Sequence, residues 1–229
     1  MRKELKNLVD KIKDQRLRKK VVDVIENPTI KIEKIKYKGL SLEATPAGKT
    51  RHHAYSEGLI QHMIASSTIA LSLCDIVEKV YHGRVNRDIV LASTLVHDSM
   101  KPLTYAVEEN GSFEVSPLGE KMDHLTLIVS ELIRRDFSLD VIHAVTAHHG
   151  RAGPISPRTI EALICFLADS TDATLNGETL NAARFLMRDC LREEAGQLTA
   201  EQAFAIVYAK QTKGCEGVKE EFKRIRNKE

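Results

Sequence analysis

Val96-His97-Asp98-Ser99-Met100-Lys101 is the stretch around which the rest of this chain is organised. The residues before it, Ile89 to Val96, are mostly apolar and predict a buried helix that ends with a histidine beside an aspartate. Neighbouring side chains on a helix point about 100° apart, but at a helix end both can converge on one ion. Because His-Asp pairs are common, the meaning of this one depends on the ligands that the rest of the chain supplies.

Composition indicates a helical globular protein. The chain has 229 residues, of which 42% are hydrophobic and 29% charged, with no Trp and few Pro or Gly. No apolar run approaches the roughly 20 residues that a membrane-spanning helix needs, and the N-terminus lacks the apolar core of a signal peptide. We therefore expect a cytoplasmic protein with no membrane partner.

The four cysteines, Cys74, Cys165, Cys190 and Cys215, are far apart in the sequence and form no Cys-x-x-Cys pair. Three lie in apolar, helical surroundings, which favour buried thiols over reactive ones. Disulfides are also rare in the cytoplasm. We therefore expect no disulfide framework.

The net charge of +2 is unevenly placed. Residues 1–38 carry 13 Lys/Arg against 6 Asp/Glu, and residues 210–229 carry 7 against 4. Such basic ends could contact nucleic acid, or they could be the solvated faces of two amphipathic helices. We favour the second interpretation, because few aromatic residues lie among these lysines to stack on bases.

Hydrophobic periodicity predicts a mostly α-helical fold in a single domain, residues 1–229. The expected helices cover 2–26, 56–82, 86–98, 121–134, 139–148, 157–175, 178–194, 200–212 and 216–227. The expected N-caps are Asn86, Ser138, Ser156 and Thr199, and the expected stops are Gly83, Gly150 and Gly177. Residues 29–42 suggest an extended segment, and the Asn-Gly pair between two apolar runs predicts a small β-hairpin over 105–115.

Histidines and aspartates recur on the inward faces or at the ends of five successive helices. They are His62, His97, Asp98, His124, His148, His149 and Asp169. Each alone has an ordinary explanation as a hydrogen-bonded core residue, although Asp169 lies in the most apolar helix, where an unpaired carboxylate is strongly disfavoured. One metal cluster explains all of them, and nitrogen and oxygen ligands without thiolate suit iron, manganese, zinc or cobalt.

In this order, the residues resemble the HD-domain superfamily of metal-dependent phosphohydrolases in its two-metal form. The resemblance covers residues 50–176, the expected metal-binding core, and implies an HD-type helical bundle. Residues 1–49 would then form an N-terminal helix and an extended lead-in, and residues 177–229 C-terminal helices.

The resemblance also implies roles for single residues. One ion would be held by His62, His97, Asp98 and Asp169, and a second by Asp98, His124, His148 and His149. Lys101 matches the lysine that commonly follows the pair, and Asp172 matches the second acidic position of the run Ala168-Asp169-Ser170-Thr171-Asp172-Ala173. Relatives often have glycine where this chain has Asp123, which could instead orient the imidazole of His124.

A second run, Arg51-His52-His53-Ala54-Tyr55-Ser56-Glu57-Gly58-Leu59-Ile60-Gln61-His62, is similar to the His-His-x-Tyr-x-x-Gly-Leu-x-x-His run of two branches of the superfamily. One branch contains bacterial 3′–5′ exoribonucleases, which carry an added N-terminal nucleic-acid domain. The other contains archaeal enzymes that open the cyclic phosphate of 7,8-dihydroneopterin 2′,3′-cyclic phosphate in methanopterin synthesis. Residues 1–49 are too few and too helical for that added domain, so we expect the second branch, which implies Fe(II) with Mn(II) as the alternative.

The expected activity is hydrolysis of a small-molecule phosphoester by a hydroxide that bridges two divalent ions. Asp98, Lys101 and Arg151 are the expected catalytic residues, the last two adding positive charge at the phosphate. The expected substrate-binding residues are His53, Tyr55, Lys101, Arg151 and Asp172. His53 or Tyr55 would stack on a planar ring, with His52 also near the pocket, unless this segment is only a structural lid.

Three other functions stay open from the sequence alone. They are a nucleotide phosphodiesterase or exoribonuclease-like hydrolase, a di-iron oxygenase on the same ligand set, and a non-catalytic nucleotide-binding module. The sequence also leaves open whether the chain forms a homo-oligomer and whether nucleic acid binds its basic ends.

Overall fold

The computed structural model describes residues 1–109, 111–194 and 196–227. The α-helices are α1 (Lys3–Val9), α2 (Gln15–Glu26), α3 (Gly58–Lys79), α4 (Arg87–Val96), α5 (Lys101–Thr104), α6 (His124–Arg134), α7 (Leu139–Thr146), α8 (Ile160–Leu191) and α9 (Ala200–Arg226). The strands are β1 (Thr29–Ile32), β2 (Ile35–Lys38), β3 (Tyr105–Val107) and β4 (Phe113–Val115). The expected mostly α-helical class with a small hairpin is confirmed.

Helix α8 is the central element, because it packs against α3, α4, α7 and α9. The largest apolar cluster is formed by residues of α1 to α4, α6 and α7. It includes Leu59, Leu95 and Ile128, which have no solvent exposure. A second cluster joins the C-terminal half of α8 to α9 and includes Tyr55 from the segment that precedes α3. The lead-in to α3 is therefore held between two cores.

Helix α3 is apolar because of its place in this core. By length and composition it is the one helix, among the residues that the structure describes, that could cross a membrane. Its face with Leu59, His62 and Met63 is buried, however, and packs with α4 and α8. Core helices of this kind pass the same test of length and hydropathy, so it gives weak support for a membrane span.

Both hairpins are short antiparallel pairs. Thr29 pairs with Lys38 in the first, so residues 29–38 form a two-stranded hairpin, and the extended segment predicted over 29–42 is divided by a turn at residues 33–34. Tyr105 pairs with Val115 in the second, as the sequence predicts, while residue 110 of its turn lies outside the described residues. The N-cap predictions for Asn86, Ser138 and Thr199 are confirmed, and Thr199 forms a full capping box with Gln202.

The prediction of one helix over 2–26 was wrong. The backbone N–H groups of Lys13 and Asp14 donate to the carboxylate of Asp88 on α4, at 3.0 and 2.8 Å, so the chain leaves the helix there. The Asp14 side chain then caps α2 by accepting from the N–H groups of Arg16 and Leu17. A contact between residues far apart in sequence thus divides a continuous amphipathic pattern.

The boundaries predicted for the central helix were also wrong. Helix α8 begins at Ile160 behind the N-cap Thr159, because the N–H of Arg158 donates to the His143 ring (3.0 Å) and does not enter a helix. It continues through Gly177, where an added Cβ would lie 3.4 Å from the carbonyl oxygen of Arg51. Close packing of the lead-in against α8 therefore outweighs the weak helix propensity of glycine.

A disulfide joins Cys190 to Cys215, so the expectation of no disulfide was wrong. Cys190 lies at the end of α8 and Cys215 directly follows Gly214, where α9 has a non-helical, left-handed φ of 64°. The kink falls between the helices predicted at 200–212 and 216–227, and it lets the second part of α9 return to α8. Cys74 and Cys165 are free, buried thiols, as predicted.

Candidate metal centre

The fold brings the histidines and aspartates of the expected ligand set into one cluster. They come from the first turns of α3 (His62), the turn after α4 (His97, Asp98), the start of α6 (His124), the turn after α7 (His148, His149) and the middle of α8 (Asp169). The helices that carry them converge because each buries its apolar face on the same core. The cluster is therefore a consequence of the packing of α3, α4, α6, α7 and α8.

Three ligand atoms meet in a first group. The Nε2 atom of His62 lies 3.1 Å from Nε2 of His97 and 3.0 Å from Oδ1 of Asp169. Nε2 of His97 lies 3.5 Å from the same Asp169 oxygen. Both imidazoles are fully buried, whereas Asp169 keeps 16% of its side chain exposed. The group is therefore open to solvent only on the α8 side.

A second group contains the side-chain nitrogens of His124, His148 and His149, which lie within 4.8 Å of one another. Asp98 lies between the groups. Its Oδ2 is 3.4 Å from Nε2 of His62, and its Oδ1 is 3.4 Å from Nε2 of His124. One buried carboxylate thus faces both groups, which is the position of a bridging ligand.

Hydrogen bonds to Nδ1 orient three of these imidazoles. Nδ1 donates to Asp172 in His62 (2.7 Å), to the carbonyl oxygen of Thr94 in His97 (2.9 Å), and to the carbonyl oxygen of Val145 in His148 (2.6 Å). Because carbonyl and carboxylate oxygens only accept, each Nδ1 carries the proton. Each neutral ring therefore directs its Nε2 lone pair into the cluster, as metal-binding histidines do.

The pKa values divide the histidines into two kinds. Burial alone would lower the pKa of His62, but Asp169, Asp172 and Asp98 outweigh it and raise that pKa well above its usual value. In His97 burial is likewise outweighed by Asp98 and Asp169, which raise the pKa to about 9. Burial lowers the pKa of the second group: that of His124 to about 4, that of His148 well below its usual value, and that of His149. The carboxylates of the first group therefore favour a positive charge there, whereas the second group presents neutral imidazoles, the form of histidine that binds a metal ion.

Two atoms in the cluster test whether a metal fits. Oδ1 of Asp98 and Nε2 of His124 are buried and have no hydrogen-bond partner among the described residues. Both are polar atoms that would form hydrogen bonds in water. Such atoms are strongly disfavoured unless something satisfies them. A divalent cation with nitrogen and oxygen ligands would satisfy both, so the donor set fits a metal.

Comparison with known proteins agrees with this geometry. The family model described as HD domain matches residues 59–174, half of the chain. The chain belongs to the HD-domain family. The resemblance predicted from the sequence is thereby confirmed.

Named relatives of this HD-domain chain fall into two groups. The dihydroneopterin 2′,3′-cyclic phosphate phosphodiesterase of Methanocaldococcus jannaschii is 42% identical over 182 residues, which are 80% of this chain and 73% of the relative. The 3′-5′ exoribonucleases YhaM of Oceanobacillus iheyensis and Bacillus subtilis are 31% and 26% identical over 57% of this chain. The chain spans only 43% of the length of either exoribonuclease. No solved structure matches.

Lys101 and Arg151, the expected phosphate-binding cations, differ in position. Lys101 is buried beside the cluster, where Nζ forms an ion pair with Oδ2 of Asp98 and donates to the carbonyl oxygen of Ala47. Burial disfavours its charge, but Asp98 outweighs that effect and raises the pKa of Lys101. Arg151 is exposed on the 3-10 turn Gly150–Ala152, which follows His149. The structure thus places one cation inside the HD cluster and the other outside it.

The HD-family turn at Gly150 is tightly packed. Its φ of 57° is left-handed, and an added Cβ would lie 2.4 Å from the Phe166 ring of α8. Only glycine fits a backbone that turns this way so close to an aromatic ring. This turn positions the His148-His149 pair against α8.

His53, Tyr55 and Asp172, expected to bind substrate, lie behind His62. His53 and Tyr55 are 3% and 2% exposed, so most of each side chain is covered by protein. Oδ2 of Asp172 accepts hydrogen bonds from His62 (2.7 Å) and from Nε2 of His53 (2.8 Å). The hydrogen bonds of all three therefore support a ligand of the HD cluster.

Two further residues, His52 and Tyr105, lie near the HD cluster. The ring of His52 lies 5.2 Å from that of His62, its Nδ1 is buried without a partner among the described residues, and burial lowers its pKa to about 3. The His53 ring lies at a similar distance from His62, 5.5 Å. The sequence pattern did not single out Tyr105. Burial raises the pKa of its hydroxyl, and the charges of Lys101 and Asp98 also act on it. Its place, one turn after Lys101, was the available signal.

The role considered for Asp123 changes. Its side chain accepts from the N–H of Thr126 at 2.6 Å and so caps α6. It is exposed and its carboxylate is used by the helix end. The alternative, that Asp123 orients the imidazole of His124, is therefore not supported by the hydrogen bonding.

Proposed function

We propose that this chain is a metal-dependent phosphodiesterase that hydrolyses a small-molecule cyclic phosphate, with dihydroneopterin 2′,3′-cyclic phosphate as its substrate. The carrying observation is that seven ligand residues converge in a chain that is 42% identical, over 80% of its length, to a phosphodiesterase named for that substrate. Membership of the HD-domain family supports the same class of reaction.

We further propose two divalent ions, Fe(II) in each site with Mn(II) as the alternative. His62, His97 and Asp169 would hold one, His124, His148 and His149 the other, and Asp98 would contact both. Bound there, the ions would lower the pKa of a coordinated water and withdraw charge from the phosphate oxygens. The buried, unpartnered Asp98 Oδ1 supports this assignment, because it lies between the two groups.

The chain's own residues add three effects. Lys101 keeps Asp98 ionised and places a buried positive charge beside the ligand cluster. Arg151, exposed on the adjacent turn, is proposed to bind phosphate oxygens from solution. Burial of His62 and His97 excludes water from the first group and so strengthens its electrostatic interactions.

In the cyclic ester, a water oxygen would form a new bond to phosphorus while the P–O bond to either the 2′ or the 3′ oxygen breaks. The departing oxygen then takes up the proton that the attacking water loses. The expected product is therefore a mixture of the 2′- and 3′-monoesters.

We also propose that the chain is one domain and that it functions in the cytoplasm. Helix α8 supports the single domain, because it runs from Asp169 in the metal cluster to Cys190 in the second core without a break. The partner that this function requires is a small-molecule phosphoester. A homo-oligomer and nucleic acid at the basic ends are not required by it.

A second candidate, a nucleotide phosphodiesterase or exoribonuclease, is favoured by the 26–31% identity to exoribonucleases. Those relatives match a smaller share of this chain, 57%, than the 80% that the phosphodiesterase matches. The two candidates differ in substrate and leave the metal cluster unchanged.

The test is an anaerobic preparation with metal analysis and a panel of phosphoesters. The panel contains dihydroneopterin 2′,3′-cyclic phosphate, a nucleoside 2′,3′-cyclic phosphate, a linear nitrophenyl phosphodiester and a short RNA. We expect two ions per chain and fastest hydrolysis of the pterin. The control is His124→Ala, which should lose one ion and the activity.

Other outcomes separate the alternatives. Preferred release of mononucleotides from RNA would replace the proposal with the exoribonuclease. Oxygen uptake without ester hydrolysis would replace it with a di-iron oxygenase, and a metal-loaded chain that hydrolyses nothing would leave only a binding module.

A further inference from the structure

The run from His52 to His62 forms a turn whose side chains lie directly behind His62. The backbone of His53 is left-handed, with a φ of 45°, and the rings of His52 and His53 are nearly perpendicular, with both centroids within 5.5 Å of the His62 ring. The N–H of His53 donates to Oδ1 of Asn176 at 2.6 Å, which fixes this unusual conformation. An added Cβ on Gly58 would lie 2.1 Å from the carbonyl oxygen of His53, so the glycine allows the lead-in to fold back on α3.

A chain of hydrogen bonds starts from this turn. The hydroxyl of Tyr55 lies 2.8 Å from Nδ1 of His53, and Nε2 of His53 lies 2.8 Å from Oδ2 of Asp172. The same Asp172 oxygen lies 2.7 Å from Nδ1 of His62. All four side chains are buried. The Asp172 carboxylate is therefore held between two imidazoles, one of which faces the metal cluster.

The outer end of the chain is fixed from α3 and α8. The hydroxyl of Tyr55 donates to Gln61 (2.8 Å) and accepts from Asn176 (3.1 Å). The Tyr55 ring packs in the second apolar cluster with Leu180 and Ile206. Thus the orientation of His62 depends, through Asp172 and His53, on a side chain anchored in the α8–α9 core.

We propose that His53 and Tyr55 are positioning residues that act through Asp172 to hold His62 with Nδ1 protonated and Nε2 directed at the metal. The inference rests on the metal-binding role given to His62 under the proposed function. Its test measures metal affinity without substrate, so a failure to hydrolyse the pterin would not affect it.

The experiment is a titration of the purified full-length chain with Mn²⁺, with free Mn²⁺ followed by electron paramagnetic resonance. Variant His62→Ala defines which Mn²⁺ depends on His62. In His53→Leu that Mn²⁺ should bind about 10-fold more weakly, because supporting partners of metal ligands typically contribute 10- to 100-fold in affinity. His53→Gln, which keeps a donor toward Asp172, should recover most of the loss, and the Mn²⁺ that survives in His62→Ala should be unaffected in both.

A matched control separates positioning from folding. Val21→Ala removes buried volume from α2 in the main core, away from the chain, so it should lower stability without changing Mn²⁺ affinity. Tyr55→Phe removes one hydroxyl and should weaken the same Mn²⁺, by less than His53→Leu does. Unchanged affinity of the His62-dependent Mn²⁺ in both His53→Leu and Tyr55→Phe would overturn the inference, as would an equal loss in Val21→Ala.

Discussion

Nε2 of His62 and Nε2 of His97 lie 3.1 Å apart, and both rings carry their proton on the opposite nitrogen. In the neutral state two lone pairs therefore face each other, with the Asp169 carboxylate 3.0 Å from one of them. This arrangement is unfavourable without a positive charge between the atoms. The neighbouring carboxylates raise the pKa values of both histidines because they too favour a positive charge at this place. A proton supplies that charge when no metal ion is bound.

Metal removal should therefore destabilise the fold. Because ions bind the folded chain, an ion at 100 times its Kd should add about 2.7 kcal/mol to the free energy of unfolding. The measurement is the thermal midpoint of the anaerobic protein with added Mn²⁺ and with chelator. His62→Ala, which lacks one of the facing nitrogens, should respond less to chelator than the parent, and an equal midpoint in both conditions would contradict the metal assignment.

Asp98→Ala should abolish turnover and remove both ions, because the Asp98 carboxylate faces both ligand groups. It should also reduce stability, since Lys101 would keep a buried charge without its partner, at a cost of about 3–5 kcal/mol. Metal analysis after dialysis and chemical unfolding measure the two effects. The double variant Asp98→Ala/Lys101→Met should regain stability and not metal, and full metal content in Asp98→Ala would exclude a bridging role.

Much of the metal centre could be predicted from the sequence, because a ligand set is a local signal repeated five times. Each histidine or aspartate falls on an inward helix face or at a helix end that periodicity and caps reveal, as at Asn86. What escaped prediction depends on contacts between distant segments. The break before α2 depends on Asp88, and the continuation of α8 through Gly177 depends on the approach of Arg51.

The same limit applies to the contacts between side chains. The run from His52 to His62 marks a special turn, but the sequence does not reveal that His53 contacts Asp172 on α8. Cys190 and Cys215 are 25 residues apart, and their pairing depends on a kink at Gly214 that no periodicity measures. Sequence patterns therefore indicate which residues matter more readily than which side chains meet.

Asp123→Gly should leave metal content intact, because the hydrogen bond of the Asp123 carboxylate goes to the N–H of Thr126 and caps α6. Asp123→Ala should lower the free energy of unfolding by about 1 kcal/mol through loss of the cap, whereas glycine at an N-cap costs only a few tenths. Urea unfolding of the two variants, with Asp123→Ser as the cap-retaining control, measures the difference. Loss of one ion in Asp123→Gly would return Asp123 to the role of orienting the imidazole.

Glu131 should make stability depend on pH. Burial alone would raise its pKa, but hydrogen bonds from Arg134 and Arg135 outweigh burial and lower it below 4.5. Because the folded-state pKa is the lower one, the stabilisation is complete above about pH 4.5 and is lost as the pH falls through the folded-state value. Glu131→Gln should cost about 2 kcal/mol near pH 7, and progressively less below pH 4.5. A difference between parent and variant that stays constant from pH 7 to pH 3 would refute this.

The Cys190–Cys215 bond should stabilise the α8–α9 hairpin without serving the metal cluster. It closes a loop of 25 residues, for which the chain-entropy estimate is about 3.5 kcal/mol. Cys215→Ser should lower the free energy of unfolding by about that amount and leave Mn²⁺ affinity unchanged. Alkylation of the denatured protein should modify the two free thiols, Cys74 and Cys165, before reduction and all four cysteines after it. Cys74→Ser is the control, since it removes a buried thiol without opening a loop, and four reactive thiols before reduction would show that the bond does not form.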